Sequence, residues 1–348
     1  MKTSVIICEF NPLHSGHKRL IDFAKTFSDK VVCVMSGNFV QRGMPACCNK
    51  YKRALHAVKA GADLVVELPT VYSTAAAENF ALGGVQIANR LGADFLVFGS
   101  ECGDLCALQN CVDLLADAKV NAQIRQYLSQ GESYPKAVAC AVGSDVLDKP
   151  NNVLALEYLR ALKATHSEIV PVTIAREDNY NSAPQQYASS SALRNEPNLR
   201  EKFTYDFVAK DVSDDVETQY RLFATQFLSL AEKKDLENVA GVSEGLHNRI
   251  FAADKTQGFE KMMEEIKTKR YTRVKLQRIV LNCVLGITKE QEQASKLLQP
   301  KIKVLAVSRN STKLLDGLEN QSDEITQKAD RLYSVLEKCP PPAKLEVW

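Results

Sequence analysis

Residues 3–27 read TSVIICEFNPLHSGHKRLIDFAKTF, and the pattern of this stretch indicates the class of fold. Its first part, Ser4–Cys8, is a short apolar run that predicts a strand buried on both faces. Its last part, His17–Phe27, carries apolar residues at helical spacing and predicts a helix. Gly16 permits a tight turn between the two. A buried strand followed by a turn and a helix is typical of α/β proteins with a parallel sheet.

The same alternation continues through the first half of the chain. Further buried strands are predicted at Lys30–Met35, Asp63–Leu68, Asp94–Phe98 and Ile169–Ile174. Helical patterns lie between them, at Lys50–Ala60, Ala76–Leu91 and Pro150–Ala164. This order predicts an α/β fold with a doubly wound, Rossmann-like parallel sheet covered on both faces. A functional site is expected at the carboxyl ends of its strands.

The pattern changes near residue 198. From there most segments have helical periodicity, as in DVETQYRLFATQFLSL at residues 215–230. The run KIKVLAVS at residues 301–308 returns one strand. We therefore predict two domains, residues 1–197 around the sheet and residues 198–348, which are mostly helical.

Composition narrows the class of protein. The 348 residues carry a net charge of +2, with 25% charged and 45% hydrophobic residues, so there is no global nucleic-acid or membrane signature. No apolar run reaches about 18 residues, and no membrane span is expected. Ten cysteines are scattered without paired CxxC spacing, which argues against structural zinc and favours a reducing cytoplasm. Nothing in the sequence indicates an organic cofactor or an obligatory protein partner.

The candidate site begins with His14 and His17, three residues apart at the predicted strand–helix turn. A helix N-terminus attracts anions, and two imidazoles beside it can donate hydrogen bonds to phosphate oxygens. The alternative is that both are surface histidines of a turn. A zinc site is a weaker interpretation, because no third ligand is nearby in the sequence.

Other segments add polar and basic side chains. The segment SSSALRN offers three hydroxyls and a guanidinium at a predicted helix start, which suits phosphate: Ser189, Ser190, Ser191 and Arg194. Two basic helix starts predict a nucleic-acid surface, with an aromatic, Tyr271, that can stack on a base: Lys50, Arg53, Lys267, Lys269, Arg270, Arg273, Lys275 and Arg278. The alternative for both runs is a solvated basic helix face.

Several of these segments together resemble a known family. In order, EFNPLHSGH, VMSGNFVQRG, DLVVELP, FGSE and KTKRYTRVKLQR are similar to blocks of the tRNA(Met) cytidine acetate ligase family. HSGH and SSSALR also resemble the two signatures of the wider HxGH nucleotidylyltransferase superfamily. The resemblance implies an enzyme that forms acetyl-adenylate from acetate and ATP. It then acetylates N4 of the wobble cytidine of elongator tRNA(Met), giving ac4C34.

The resemblance also implies roles for individual residues. His14 and His17 would be catalytic and face the phosphates of ATP, which Mg2+ is expected to accompany. The ATP site would comprise the loop Ile7, Cys8, Glu9, Phe10, Asn11, Pro12, Leu13, His14, Ser15, Gly16, His17, Lys18, Arg19 and Leu20, together with Gly99, Asn151, Arg176, Ser189, Ser190, Ser191 and Arg194. Residues 1–197 would form the catalytic domain, and residues 198–348 would contribute to tRNA binding.

Two other functions are compatible with parts of the sequence. An adenylyltransferase for a small phosphorylated metabolite would share the histidine motif but has no need of the basic helical half. A non-catalytic nucleotide- or RNA-binding protein would keep the basic residues but has no need of the histidines and arginines that suit phosphate transfer.

Overall fold

The protein is described by a computed structural model that covers residues 1–132, 134–143, 145–176, 189–243, 245–268, 270–338 and 346–347. Its strands are β1 Thr3–Cys8, β2 Lys30–Ser36, β3 Phe39–Val40, β4 Met44–Pro45, β5 Leu64–Leu68, β6 Phe95–Ser100, β7 Val170–Ala175, β8 Val304–Val307 and β9 Glu346–Val347. Each of the strands predicted in the first half is confirmed within two residues at either end.

The large sheet has the order β7-β6-β1-β2-β5-β8-β9. Strands β7, β6, β1, β2 and β5 are parallel, and β8 joins β5 in the antiparallel direction. The chain runs outward from β1 to β2 and β5, then returns to the other side of β1 as β6 and β7. The order therefore reverses next to β1, and in open α/β sheets such a reversal makes a crevice where ligands bind.

The helices in the first part of the chain are α1 Ser15–Lys25, α2 Lys50–Lys59, α3 Thr70–Ser73, α4 Ala77–Arg90, α5 Leu105–Ala116, α6 Ala118–Ser129, α7 Tyr134–Val142 and α8 Pro150–Ala164. Alternate strand residues face opposite sides of the sheet. Val5 and Val32 pack with α4 and α8, whereas Ile6 and Cys33 pack with α1 and α2. The predicted doubly wound fold is confirmed.

The later helices are α9 Ser190–Asn195, α10 Pro197–Phe203, α11 Asp206–Ala209, α12 Val216–Leu230, α13 Lys233–Glu237, α14 Leu246–Ala252, α15 Phe259–Ile266, α16 Arg273–Leu285, α17 Lys289–Leu297 and α18 Glu324–Glu337. Helices α12–α16 and α18 form a second core around Tyr220 and Tyr333, whereas α9 and α10 make a small separate cluster of Leu193 and Phe203. Phe39 and Met44, from the short β3–β4 hairpin, are buried in that core. The hairpin thus links the sheet to the helical half.

Candidate active site

The histidine loop leaves β1 and enters α1 at the point where the strand order reverses. Phe10 has a φ of +46°, an uncommon backbone conformation for a residue with a side chain. Such conformations cost of order 1–3 kcal/mol and persist where surrounding contacts hold them. The Phe10 ring is buried and meets the His17 ring edge-on, with 5.0 Å between ring centroids.

Side chains from other segments bind the carbonyl oxygens of this loop. Arg53 donates to the Glu9 carbonyl at 2.6 Å, and Arg194 donates to that of Asn11. Ser190 donates to the Pro12 carbonyl at 3.3 Å, and Thr204 to the Leu13 carbonyl at 2.7 Å. The loop is therefore held in one shape before any ligand arrives, which favours catalysis by pre-organised groups.

His14 and His17 cap α1 and each other. Nδ1 of His14 accepts the Gly16 amide at 3.1 Å, and Nδ1 of His17 accepts the His14 amide at 3.3 Å. The two rings stack with 3.8 Å between centroids. In its neutral form each imidazole therefore carries its proton on Nε2, which leaves that atom as a donor. The helix end supplies fewer backbone donors than the sequence suggested, because the histidines use two of them.

The environment of His17 disfavours its charged form. Burial lowers the pKa of His17 well below its ordinary value, and the neighbouring His14 ring and the Arg176 guanidinium lower it further. His17 is thus a neutral hydrogen-bond donor near pH 7. This property suits stabilisation of charge that develops on a phosphate.

The SSSALR segment lies beside the loop, where Ser190 and Arg194 donate to its carbonyl oxygens. Ser189 caps α9 by accepting the Ala192 amide at 3.2 Å. The Ser191 hydroxyl accepts hydrogen bonds from two guanidinium groups, Arg194 at 3.1 Å and Arg42 at 3.0 Å. Arg42 belongs to the VMSGNFVQRG segment that follows β2 and was considered from the sequence only as a cation near Lys50 and Arg53. It was not assigned to the ATP site.

Gly99, Asn151 and Arg176 come together on the other side of the crevice. A Cβ on Gly99 would lie 3.1 Å from Cγ of Arg176, so the arginine side chain crosses the glycine. Arg176 Nη1 lies 3.5 Å from Oδ1 of Asn151. Glu101, which was not selected from the sequence, accepts hydrogen bonds from the Asn151 side chain at 2.7 Å and the Asn152 amide at 2.7 Å. It fixes the start of α8 against the end of β6.

The remaining loop residues divide into core and surface. Ile7, Cys8 and Leu13 are buried in the two cores that flank the sheet, and burial raises the pKa of the Cys8 thiol. Lys18 forms an ion pair with Asp22 one turn further along α1, 2.5 Å between Nζ and Oδ1. Ser15, Gly16 and Leu20 are partly buried, and Arg19 is exposed.

The prediction that Lys50 and Arg53 bind nucleic acid is wrong. Lys50 is 1% exposed, and its ammonium contacts both Glu67 oxygens at 2.7 Å and Asp330 at 2.6 Å. Arg53 is fully buried and donates to the carbonyls of Glu9, Cys48 and Gly37. Buried cations whose donors are already bonded inside the protein cannot reach an RNA phosphate.

The second basic run is mostly on the surface. Lys267, Arg270, Arg273 and Lys275 are exposed around the start of α16, Arg278 is partly buried and donates to the Ala75 carbonyl at 2.9 Å, and Lys269 lies outside the described residues. The Arg273 guanidinium is paired with Glu260. Tyr271 is buried, its hydroxyl 2.8 Å from that of Ser243, so the expected stacking of this ring on a base is wrong.

The acidic groups do not assemble a metal site. Across the described residues, no group of three or more His, Cys, Asp or Glu side chains could hold a metal ion. The Glu9 carboxylate accepts the Gln41 amide at 2.7 Å, and Glu101 is committed to the start of α8. The side chains of the described residues therefore do not fit Mg2+ by themselves. Within the same described part of the chain, no helix has the length and apolar character needed to cross a bilayer.

A cavity of about 740 Å3 lies at the amino ends of the strands, whereas the histidine loop follows the carboxyl end of β1. The cavity is lined by residues at the amino ends of β1, β6 and β7, among them Lys2, Asp94 and His166. The cavity and the histidine loop are therefore at opposite ends of the parallel strands. We place the active site at the loop, because the reversal of strand order and the convergent donors are found there.

Comparison with known proteins defines the class first. The family model described as HIGH Nucleotidyl Transferase matches residues 1–337. A tRNA(Met) cytidine acetate ligase of Acetivibrio thermocellus is 33% identical, over 99% of this chain and 91% of its own length. The corresponding ligase of Thermoanaerobacter sp. (strain X514) is 36% identical, over 82% of this chain and 78% of its own.

Two solved structures are also similar to this chain in fold and in sequence. Thermotoga maritima TmcAL bound with alpha-thio ATP has a TM-score of 0.80 at 26% identity, covering 100% of this chain and 85% of that one. Its apo form has a TM-score of 0.81 at 27% identity, covering 99% of this chain and 90% of that one. The chain therefore belongs to the tRNA(Met) cytidine acetate ligase family, and the resemblance stated from the sequence is confirmed.

Proposed function

We propose that this protein joins acetate to tRNA at the expense of ATP. It forms acetyl-adenylate and then acetylates N4 of the wobble cytidine of elongator tRNA(Met). The observation that carries this proposal is the pair of Nε2–H donors at the strand-order reversal, in a chain similar over nearly its whole length to tRNA(Met) cytidine acetate ligases. A reducing cytoplasm is the proposed location.

In the first step, a carboxylate oxygen of acetate attacks the α-phosphorus of ATP. The bond from that phosphorus to the bridging oxygen breaks, and pyrophosphate leaves with the electron pair. His14 and His17 donate from Nε2 to the phosphate oxygens as their charge grows. In the second step the cytidine amine attacks the acetyl carbonyl and loses a proton, and AMP leaves.

The nucleotide would lie across the crevice beside β1. We assign the loop from Ile7 to Leu20 to one wall and Gly99, Asn151 and Arg176 to the other. The hydroxyl of Ser191 and the guanidinium of Arg194 would face the β- and γ-phosphates. Ser189 would act indirectly by capping α9, and Ser190 by binding the Pro12 carbonyl of the loop. Mg2+, if present, would be held by the phosphates of ATP, and neither step above involves it.

The tRNA would engage the surface formed by Lys267, Arg270, Arg273 and Lys275. Cations in the first turn of a helix oppose its dipole, and Arg273 and Lys275 occupy the first turn of α16. This placement has a small stability cost and supports a functional reason for the charges. We assign catalysis to residues 1–197 and a tRNA-binding contribution to residues 198–348, although β8 of the second segment also completes the sheet.

A single experiment tests the function against its rivals. The protein is incubated with ATP, labelled acetate and total tRNA, and the labelled nucleoside is identified by mass spectrometry. We expect label in N4-acetylcytidine of elongator tRNA(Met). Transfer of AMP to a phosphorylated metabolite without acetate would favour the adenylyltransferase, and binding of ATP without any product would favour the non-catalytic protein.

His17→Ala tests the mechanism. Loss of one pre-organised donor should lower acetate-dependent pyrophosphate release at least about 100-fold. The matched control is His247→Ala, since His247 lies on α14, away from the loop. Near-normal pyrophosphate release by the His17 variant would contradict the assigned role of His17.

A further inference from the structure

Two positively charged groups meet beside the histidine loop. The guanidinium groups of Arg42 and Arg194 donate to the same Ser191 hydroxyl, at 3.0 and 3.1 Å. Burial lowers the pKa of Arg194, and the charge of Arg42 lowers it further. Two guanidinium groups placed this closely repel each other unless an anion lies between them.

The nearby acidic group does not balance this charge. Glu9 is the carboxylate that attracts both arginines, and its Oε1 also accepts the Gln41 amide at 2.7 Å. Glu217 also attracts Arg194, but its carboxylate is paired with Arg221, and Glu9 is shared with Arg53. Arg42 and Arg194 therefore retain an excess positive charge. Guanidinium forks match the oxygens of phosphate groups in charge and in geometry.

The β3–β4 hairpin, whose turn carries Arg42, is held against α16 and the helical core. Gly43 has a φ of +72°, and a Cβ there would lie 2.5 Å from the Arg278 amide nitrogen. The tip of the β3–β4 hairpin therefore rests directly on the backbone of α16. Phe39 and Met44 anchor the two strands in the helical core. An exposed arginine is thus presented from a rigid support, and its guanidinium reaches across to α9.

We propose that Arg42 is a further nucleotide-binding residue, which holds the pyrophosphate end of ATP together with Arg194. The inference rests on the proposed function for the location of ATP. This role of Arg42 also connects the helical half to the nucleotide site, because the hairpin that carries Arg42 packs on α16.

Equilibrium binding tests this role without turnover. Full-length wild type, Arg42→Gln and Arg42→Lys are titrated with ATP and with AMP in a calorimeter, in the absence of acetate. Loss of a charge-assisted hydrogen bond to phosphate should weaken ATP binding by Arg42→Gln about 10- to 100-fold. AMP lacks the β- and γ-phosphates, so its affinity should change less than about twofold. Arg42→Lys retains the charge and should fall between wild type and Arg42→Gln.

The control variant is Arg125→Gln, which removes an exposed arginine from α6. It should bind both nucleotides like wild type. Equal weakening of ATP and AMP by Arg42→Gln, or no weakening of either, would overturn the inference. A wild-type protein that binds ATP but releases no pyrophosphate with acetate would refute the proposed reaction, and the ATP–AMP comparison would still decide the role of Arg42.

Discussion

Two basic runs begin helices in this chain, and the structure uses them in opposite ways. NKYKR, residues 49–53, opens α2, and its Lys50 and Arg53 are buried. KTKRYTRVK, residues 267–275, leads into α16, and its cations Lys267 and Lys275 are exposed. Both runs have the same appearance in the sequence. One holds the scaffold together, and the other is available to an anionic partner.

The difference lies in residues far away along the chain. Lys50 is neutralised by Glu67 on β5 and by Asp330 on α18, which is 280 residues away. Arg53 binds carbonyls of three loops. Near the second run, the Arg273 guanidinium is bonded to Glu260, whereas the Lys267 and Lys275 side chains are exposed. A basic run thus indicates RNA binding only where no distant carboxylate or carbonyl has taken its donors.

The largest effect is expected when the buried run loses its charge. Lys50→Met leaves the buried Glu67 and the half-buried Asp330 without a cation. Breaking a buried ion pair in this way costs about 3–5 kcal/mol of unfolding free energy. The matched control is Lys52→Met on the same helix, because Lys52 is exposed and its pair with Asp211 is 3.5 Å long. That change should cost at most about 1 kcal/mol. Urea unfolding measures both, and equal losses would contradict the assigned role of Lys50.

Much of the fold was predictable, because it depends on local periodicity. The strand Ser4–Cys8 and the helix that follows it show their alternation and their spacing within a few residues. The strand at residues 304–307 was predicted as an element, but nothing local indicates that it pairs antiparallel to β5. Strand pairing at such separation depends on how all the intervening helices pack.

The site was predictable only as a set of residue types. His14 and His17 were selected as neighbours at one turn, and their rings stack there. SSSALR was selected by residue type, and Ser190 and Arg194 contact the same loop. That their Nδ1 atoms are used to cap α1 depends on ring orientation, which the sequence does not carry. Arg42 and Glu101 were not assigned to the site, because their partners, Ser191 and Asn151, are separated from them by 149 and 50 residues.

An intermediate effect is expected when the exposed run loses its charge. Alanine at Lys267, Arg270 and Lys275 should raise the KM for tRNA about 10-fold and lower the salt dependence of binding by about 0.7–0.9 per lost phosphate contact. Acetate-dependent pyrophosphate release without tRNA should stay unchanged. The control removes three other exposed lysines, Lys119, Lys136 and Lys163. A similar rise in KM for both triple variants would mean that only net charge matters.

The smallest effect concerns the pH dependence of the buried cluster. Burial raises the pKa of Glu67 to about 7 and also raises the pKa of Asp330, while the Lys50 ammonium opposes both shifts. The folded protein therefore binds a proton that the unfolded chain releases at lower pH. Stability from this group is fully present below the unfolded pKa near 4.5 and is lost as pH rises through about 7.

Between pH 6 and pH 8, this linkage should lower the unfolding free energy of wild type by about 1 kcal/mol. Glu67→Gln keeps the shape of the side chain but cannot ionise, so the stability of this variant should depend less on pH over that interval. Urea midpoints of both proteins at the two pH values give the comparison. Because all other titrating groups are common to both proteins, an identical decrease would contradict the titration of Glu67 in this pH interval.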